Sequence, residues 1–162
     1  MFRTLRIIFC ALILVGTIGA TTKILGSADG EKSGSRIDVT ELKRVSGDMV
    51  SLKFVLVNDS NQSIPISYNF LPAQEAPSQM GLDTDSIAGV YLTDTAGATK
   101  YTVVRDAKGL CVCSTGLGTV GSKSKVNLWA KFPAPPDSVT KLTVTLPHFQ
   151  PVEDVPLKPL SK

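Results

Sequence analysis

A single histidine, His148, occurs in the 162 residues, and no nucleophile-elbow pattern accompanies it. It follows the strand-ending Pro147, where an exposed loop residue is expected. With no convergent acid, base and nucleophile set, the chain does not read as an enzyme. Aromatic side chains are also scarce, at 6% of residues with one tryptophan. Val, Ile, Leu and Thr are plentiful in the second two-thirds, so a core can form without disulfide staples. Net charge is nearly absent. The formal value is +3, but Arg3 and Arg6 sit in an N-terminal segment that has no acid through residue 20. From residue 21 onward, 15 basic residues face 14 acidic ones, about +1. A concentrated basic face is missing, which argues against nucleic acid as a partner. Helix-period runs are missing after the N-terminal segment, and no internal repeat is seen.

That segment has a basic start (MFRTLR), an uncharged apolar run Ile7–Ala20, and a small-residue end at Gly16, Gly19 and Ala20. This is the three-part pattern of a secretory signal peptide, residues 1–20, with cleavage expected after Ala20 and after Ala28 as the alternative. The uncharged run extends only to Thr22, short of the ~20 residues of a spanning helix. A retained anchor helix over residues 7–22 is the other reading. Cys10 lacks a small-residue cleavage context and is not read as a lipid-attachment site. Residues 21–35 (TTKILGSADGEKSGS) are rich in Gly, Ser and Lys and read as a flexible linker.

Residues 36–158 read as one domain, with 159–162 as a tail. Arg36–Val45 places Ile37 and Val39 on one face, then drifts at Leu42 and Val45, which points to a bulge or a sheet switch. Met49–Asn58 alternates strictly, with Val50, Leu52, Phe54 and Leu56 inward. Further strands are expected over Ile64–Leu71, Ser86–Thr93, Lys100–Val104, Val126–Phe132, Val139–Leu146 and Val152–Leu157. Turn signals separate them, and Pro72–Asp85 reads as a long surface loop. The expected fold is all-β, an immunoglobulin-like antiparallel β-sandwich of about seven or eight strands, with a β-barrel as the alternative.

Two segments carry a resemblance. YTVVRDAKGLCVCS followed by NLWAKFPAPPDSVTKLTVTLPHFQPVEDVPL is similar to a family of secreted or surface-anchored bacterial proteins, chiefly actinobacterial. In that family an RDxxGxCxCS segment precedes an LWAxFPAPP segment. The resemblance spans about residues 36–157 and implies an extracytoplasmic β-sandwich. It implies no reaction.

Cys111-Val112-Cys113 is the sharpest local feature. Residues two apart on an extended strand share a face, with Cα atoms about 6.6–6.8 Å apart, the outer limit for a disulfide. A Cys111–Cys113 bond therefore requires a kink, and it is expected as a strained, accessible local disulfide. Reduced thiols, a redox pair, soft-metal capture and an intermolecular bond are the alternatives. Gly116-Leu-Gly118-Thr-Val-Gly121 matches GxGxxG, but a β-branched, proline-terminated run follows it, so a hairpin loop is expected rather than a dinucleotide site. Asp83-Thr-Asp85 reads as a solvated loop, since no EF-hand spacing follows. Asn58-Asp-Ser60 and Asn61-Gln-Ser63 are formal glycosylation sequons within a turn. Trp129 alternates with Leu128 and Ala130, and is either a packed core aromatic or part of an exposed binding patch. The candidate binding surface is Arg105, the Cys111–Cys113 turn, Gly116, Gly118 and Trp129. No cofactor and no metal are implied. The expected role is an exported, non-catalytic binding or structural module. Its expected partner is another surface protein or a cell-envelope component, with membrane contact only through an uncleaved N-terminus. A redox or copper-handling protein using Cys111 and Cys113 is the alternative.

Overall fold

The structure, a computed structural model, describes residues 23–46, 48–66 and 85–160. The expected signal or anchor segment, Gly47, most of the Ile64–Leu71 strand, nearly all of the Pro72–Asp85 loop and Asp83 lie outside the described residues.

Ten strands are present among the described residues. They are β1 (Gly26–Asp29), β2 (Ser35–Arg44), β3 (Met49–Asn58), β4 (Ile64–Pro65), β5 (Tyr91–Asp94), β6 (Thr99–Thr102), β7 (Thr119–Val120), β8 (Ser124–Pro133), β9 (Lys141–Thr145) and β10 (Val152–Pro156). They form an all-β structure with two four-stranded antiparallel sheets, ordered β1-β2-β3-β8 and β10-β9-β5-β6, and a small β4-β7 pair.

The period-two pattern of β3 decides its orientation. Val50, Leu52, Phe54 and Leu56 are at most 1% exposed, whereas Lys53 on the other face is exposed. β8 pairs with β3 along its whole length, Met49 opposite Pro133 through Asn58 opposite Ser124. That register buries Leu128, Ala130 and Phe132 beside the β3 row. Leu92, Leu142, Val144 and Val155 of the second sheet belong to the same continuous core. Burying such side chains at about 25 cal/mol per Å2 of apolar surface is the main source of stability.

The drift in β2 is a bulge. Its register against β3 shifts between Val39 and Glu41, so Val39 and Leu42 are both fully buried although three positions apart. Before the bulge β2 pairs with β1. Beyond it, Lys43 bridges Lys158 in parallel, and Arg44 N donates to Lys158 O at 3.0 Å. The chain after β10 is thereby sewn to the first sheet. At the opposite flank the chain beyond β6 crosses over, where Val104 N donates to Lys131 O of β8 at 2.8 Å.

The run expected as a flexible linker instead supplies β1. Its small residues are small because the second sheet packs against them. A Cβ on Gly26 would lie 2.5 Å from Val152 Cγ1, and Ala28 is 8% exposed. The FPAPP stretch ends β8 and is pinned by buried Arg44, whose Nη2 donates to Pro136 O at 2.8 Å. Asn58 has a role that its sequon conceals. It is fully buried, and its Nδ2 donates to the carbonyls of Gln62, Val120 and Gly121 at 2.7, 3.2 and 2.9 Å. Its Oδ1 accepts from Ser60 N and Oγ. The side chain ties the β3–β4 turn to the end of β7, and no glycan can reach it. Asn61 of the second sequon is exposed.

Candidate functional site

The outer edge of β8 is covered by the segment 104–114. Asp106 starts a tight turn by accepting the amides of Lys108 and Leu110 on Oδ1 at 2.8 and 3.0 Å. Gly109 takes φ +81°, a left-handed value that glycine adopts without penalty. Arg105 Nη1 donates to Gly109 O at 2.7 Å and braces the turn from outside.

The chain then changes partners at the cysteines. Cys111 bridges Arg105, within its own hairpin, while Cys113 bridges Ala130 of β8. Val112, between them, donates to Val104 O at 2.8 Å and accepts from Lys131 N at 3.0 Å. The two cysteines form a disulfide with their Cα atoms 5.3 Å apart, more than an ångström closer than the extended spacing. The expected kink is there, and it lets two successive bridges reach different neighbours. Accessibility is a correction. Cys111 and Cys113 are only 7% and 5% exposed, because β8 and the core close over the sulfurs.

Trp129 is exposed, at 40%, while its neighbours Leu128 and Ala130 are buried. Of the two readings of this residue, the core-aromatic one is thus excluded by the parity of β8. Its backbone is fixed to Ser114, which donates N–H to Trp129 O at 2.9 Å and accepts Trp129 N–H on Oγ at 3.0 Å.

Between the indole and the cysteine turn lies an open depression of about 610 Å3, lined by Trp129, Leu110, Thr115, Gly116, residues 111–113, Asp85 and Asp106. Among the described residues, its charged lining is the two aspartates. Beyond the indole a recess of about 170 Å3 is lined by Thr40, Lys53 and Asn127. There Lys53 is engaged by Glu41, at 3.2 Å, and Glu41 also pairs with Lys43 at 3.0 Å. Burial pushes the Glu41 carboxyl up, but its ion pairs with both lysines together hold it below its ordinary value. Farther along the same face, burial likewise pushes Asp38 up, and hydrogen bonds from Arg36 and Ser27 with the guanidinium charge outweigh it and lower its pKa. The hydrogen bond to Asp38 in turn raises that of Arg36.

Four of the six candidate residues, Cys111, Cys113, Gly116 and Trp129, therefore line one depression. Arg105 braces the adjoining turn. Gly118 lies elsewhere, where its carbonyl accepts Ile66 N at 3.0 Å beside the β4-β7 pair. The GxGxxG run leads into β7 and β8 rather than a helix, so it lacks the helix N-terminus that cradles a pyrophosphate. His148 is not a solitary loop residue. Its Nδ1 lies 2.9 Å from Glu31 Oε2, which joins the β1–β2 connection to the β9–β10 connection. Sequence reasoning missed Asp85, Leu110, Asp106 and Ser114 as parts of the site. The turn signal DAKG was visible, but not the wall it forms. Among the described residues no group of three or more His, Cys, Asp or Glu side chains is placed to hold a metal ion.

The site offers an aromatic face, an apolar side chain and two carboxylates to an occupant. No family model, no curated protein and no solved structure matches this chain.

Proposed function

We propose that the chain is an exported, non-catalytic binding module of the cell surface or extracellular space, built on an immunoglobulin-like sandwich and related to the bacterial family that its RDAKGLCVCS and LWAKFPAPP segments resemble. Strand order supports the fold reading. With β1 set aside as an added edge strand, β2, β3, β5, β6, β8, β9 and β10 correspond to strands A, B, C, C′, E, F and G. The sheets then read A-B-E and G-F-C-C′, the arrangement expected of such sandwiches, without an inter-sheet disulfide or a buried tryptophan.

The observation that carries the functional reading is the exposed Trp129 beside the depression. Of the four large apolar side chains exposed among the described residues, two, Leu110 and Trp129, wall this one site. An exposed tryptophan beside a second exposed apolar side chain is the kind of surface that marks a contact site. The partner class is a polypeptide or another component of the cell envelope.

The test is co-sedimentation of the purified domain with the envelope fraction of its native host, wild type against Trp129→Ala. The wild-type domain is expected in the pellet, and the variant mostly in the supernatant. Equal distribution of the two would sink the reading. If the envelope fraction instead converts Cys111 and Cys113 to alkylatable thiols, the redox alternative takes its place.

A further inference from the structure

Charge sorts the two sides of Trp129. The side toward Lys53 carries a cation already engaged by Glu41 at 3.2 Å. Toward the cysteine turn, the charged residues lining the depression are, among the described residues, Asp85 and Asp106. This contrast is not inherited from the chain as a whole, which has a slight excess of basic residues. Resting on the binding-module reading, we infer that the depression between Trp129 and the Cys111–Cys113 turn receives a basic side chain presented by a partner polypeptide.

The chemistry of the walls argues for this occupant. An indole face attracts a cation through its quadrupole, and most strongly of the aromatic side chains. The aliphatic stem of a lysine or arginine packs on apolar surface while its charged end stays hydrated or paired. Leu110, 36% exposed, and Trp129, 40% exposed, supply that surface. Asp85 and Asp106 supply opposite charge at the same rim. An anionic occupant would meet both carboxylates, and a wholly apolar one would bring them toward apolar groups and strip their water.

The openness of the site argues for a polypeptide rather than a small amine. Ion pairs and cation–π contacts are weak where water reaches them. A partner must cover more surface to exclude water. The adjoining face of the first sheet provides it, since Val55, Val57 and Asn127 turn outward there.

Trp129 is the only tryptophan, so its emission reports the site directly. The experiment titrates the purified domain with a short lysine-glycine peptide, its fully acetylated form, a glutamate-glycine peptide and lysine amide. The lysine peptide is expected to shift the emission saturably. The acetylated and glutamate peptides should give no response, and lysine amide should bind at least about tenfold more weakly. Raised salt should weaken the lysine peptide. The Asp85→Asn/Asp106→Asn variant should lose about tenfold in affinity. Asparagine keeps the Oδ1 acceptor that the turn amides of Lys108 and Leu110 require, and a thermal melt checks that the variant is folded. No response to the lysine peptide, or equal binding of its acetylated form, overturns the inference. So does an affinity unchanged in the folded double variant. Equal binding of lysine amide overturns the polypeptide part. In each case the envelope experiment with Trp129→Ala still stands or falls by itself.

Discussion

Ser114 and Trp129 exchange two hydrogen bonds, but only one of them is backbone to backbone. Ser114 N donates to Trp129 O, and Trp129 N donates to Ser114 Oγ. The side-chain oxygen stands in for the carbonyl that a regular antiparallel pair would use. Ser114 O is turned toward Ile87 N, 3.3 Å away. One hydroxyl thus lets the chain leave the β8 edge while the tryptophan stays fixed.

Ser114→Ala removes that acceptor and leaves the Trp129 amide without it. A loss of about 1–3 kcal/mol is expected, the cost of an unsatisfied buried donor. Urea unfolding gives the magnitude. Trp129 emission should move toward the red in the native state as the loop loosens. A stability within about 0.5 kcal/mol of wild type, the ordinary range of surface substitutions, would show that water replaces the hydroxyl.

The cysteine pair should matter locally rather than globally. A bond between residues two apart closes a tiny loop, so the chain-entropy estimate is only about 1–2 kcal/mol. The Cys111→Ser/Cys113→Ser variant is expected to fold, with the loss confined within that range. Amide exchange should quicken at Val112 and Ser114, whose amides are fixed by Val104 O and Trp129 O, and remain slow in β3. Global unfolding of the variant at room temperature would contradict this account.

What could be read from the sequence follows physical lines. Alternation in β3 and β8 is a local code, so those strands and the β3 buried face are visible in the letters. Which face of β8 carries Trp129 outward is decided only by the β3 register, which buries Leu128 and Ala130. The kink at Cys111–Cys113 follows from strand geometry once the two cysteines are bonded. β1 was hidden because glycine, serine and alanine carry no strand signal. Only the distant Val152 shows why position 26 must be small. Asp85 and Asp106 could not be linked by reading the chain, since 20 intervening residues separate them and the depression exists only once 104–114 lies on β8. Asn58 was disguised by a motif that describes a surface residue.

Asn58→Ala should be among the most damaging single substitutions. It removes the donor of three carbonyl contacts and the acceptor of two from Ser60, all at a fully buried position. Breaking a buried network of this kind costs on the order of 3–4 kcal/mol. Asn61→Ala, on the exposed neighbour, should stay within about 0.5 kcal/mol. Paired thermal melts of the two variants check the contrast, and similar melting points would refute the hub role.

β1 bears on processing. Cleavage after Ala28 would remove the residues whose register runs from Gly26 opposite Val39 to Ala28 opposite Ile37. It would also remove Leu25, whose N–H donates to Val39 O at 2.7 Å. A chain beginning at Asp29 is expected to be less stable than one beginning at Lys23 by on the order of 2 kcal/mol, from lost ladder bonds and apolar burial. If the N-terminal segment is cut, the intact mass of the chain from its native host should place the new N-terminus before Leu25. A mature chain beginning at Asp29 would mean that β1 is dispensable.

Acid should weaken the fold through the outer face of the first sheet. Asp38 and Glu41 both have pKa values below their ordinary ones, held there by Arg36, Ser27, Lys43 and Lys53 against the opposing effect of burial. In the unfolded chain each returns to about 4. Between the folded and unfolded values the unfolded state binds more protons, so stability rises with pH across that window. The contribution is complete above about pH 4 and disappears as pH falls through the lower, folded values. Urea midpoints measured from pH 7 down to pH 2 should therefore decline below about pH 4. In Asp38→Asn/Glu41→Gln the midpoint should be lower at neutral pH and its decline shallower, because the two groups no longer titrate. A variant whose acid limb is as steep as that of the wild type would assign the acid sensitivity to other carboxylates.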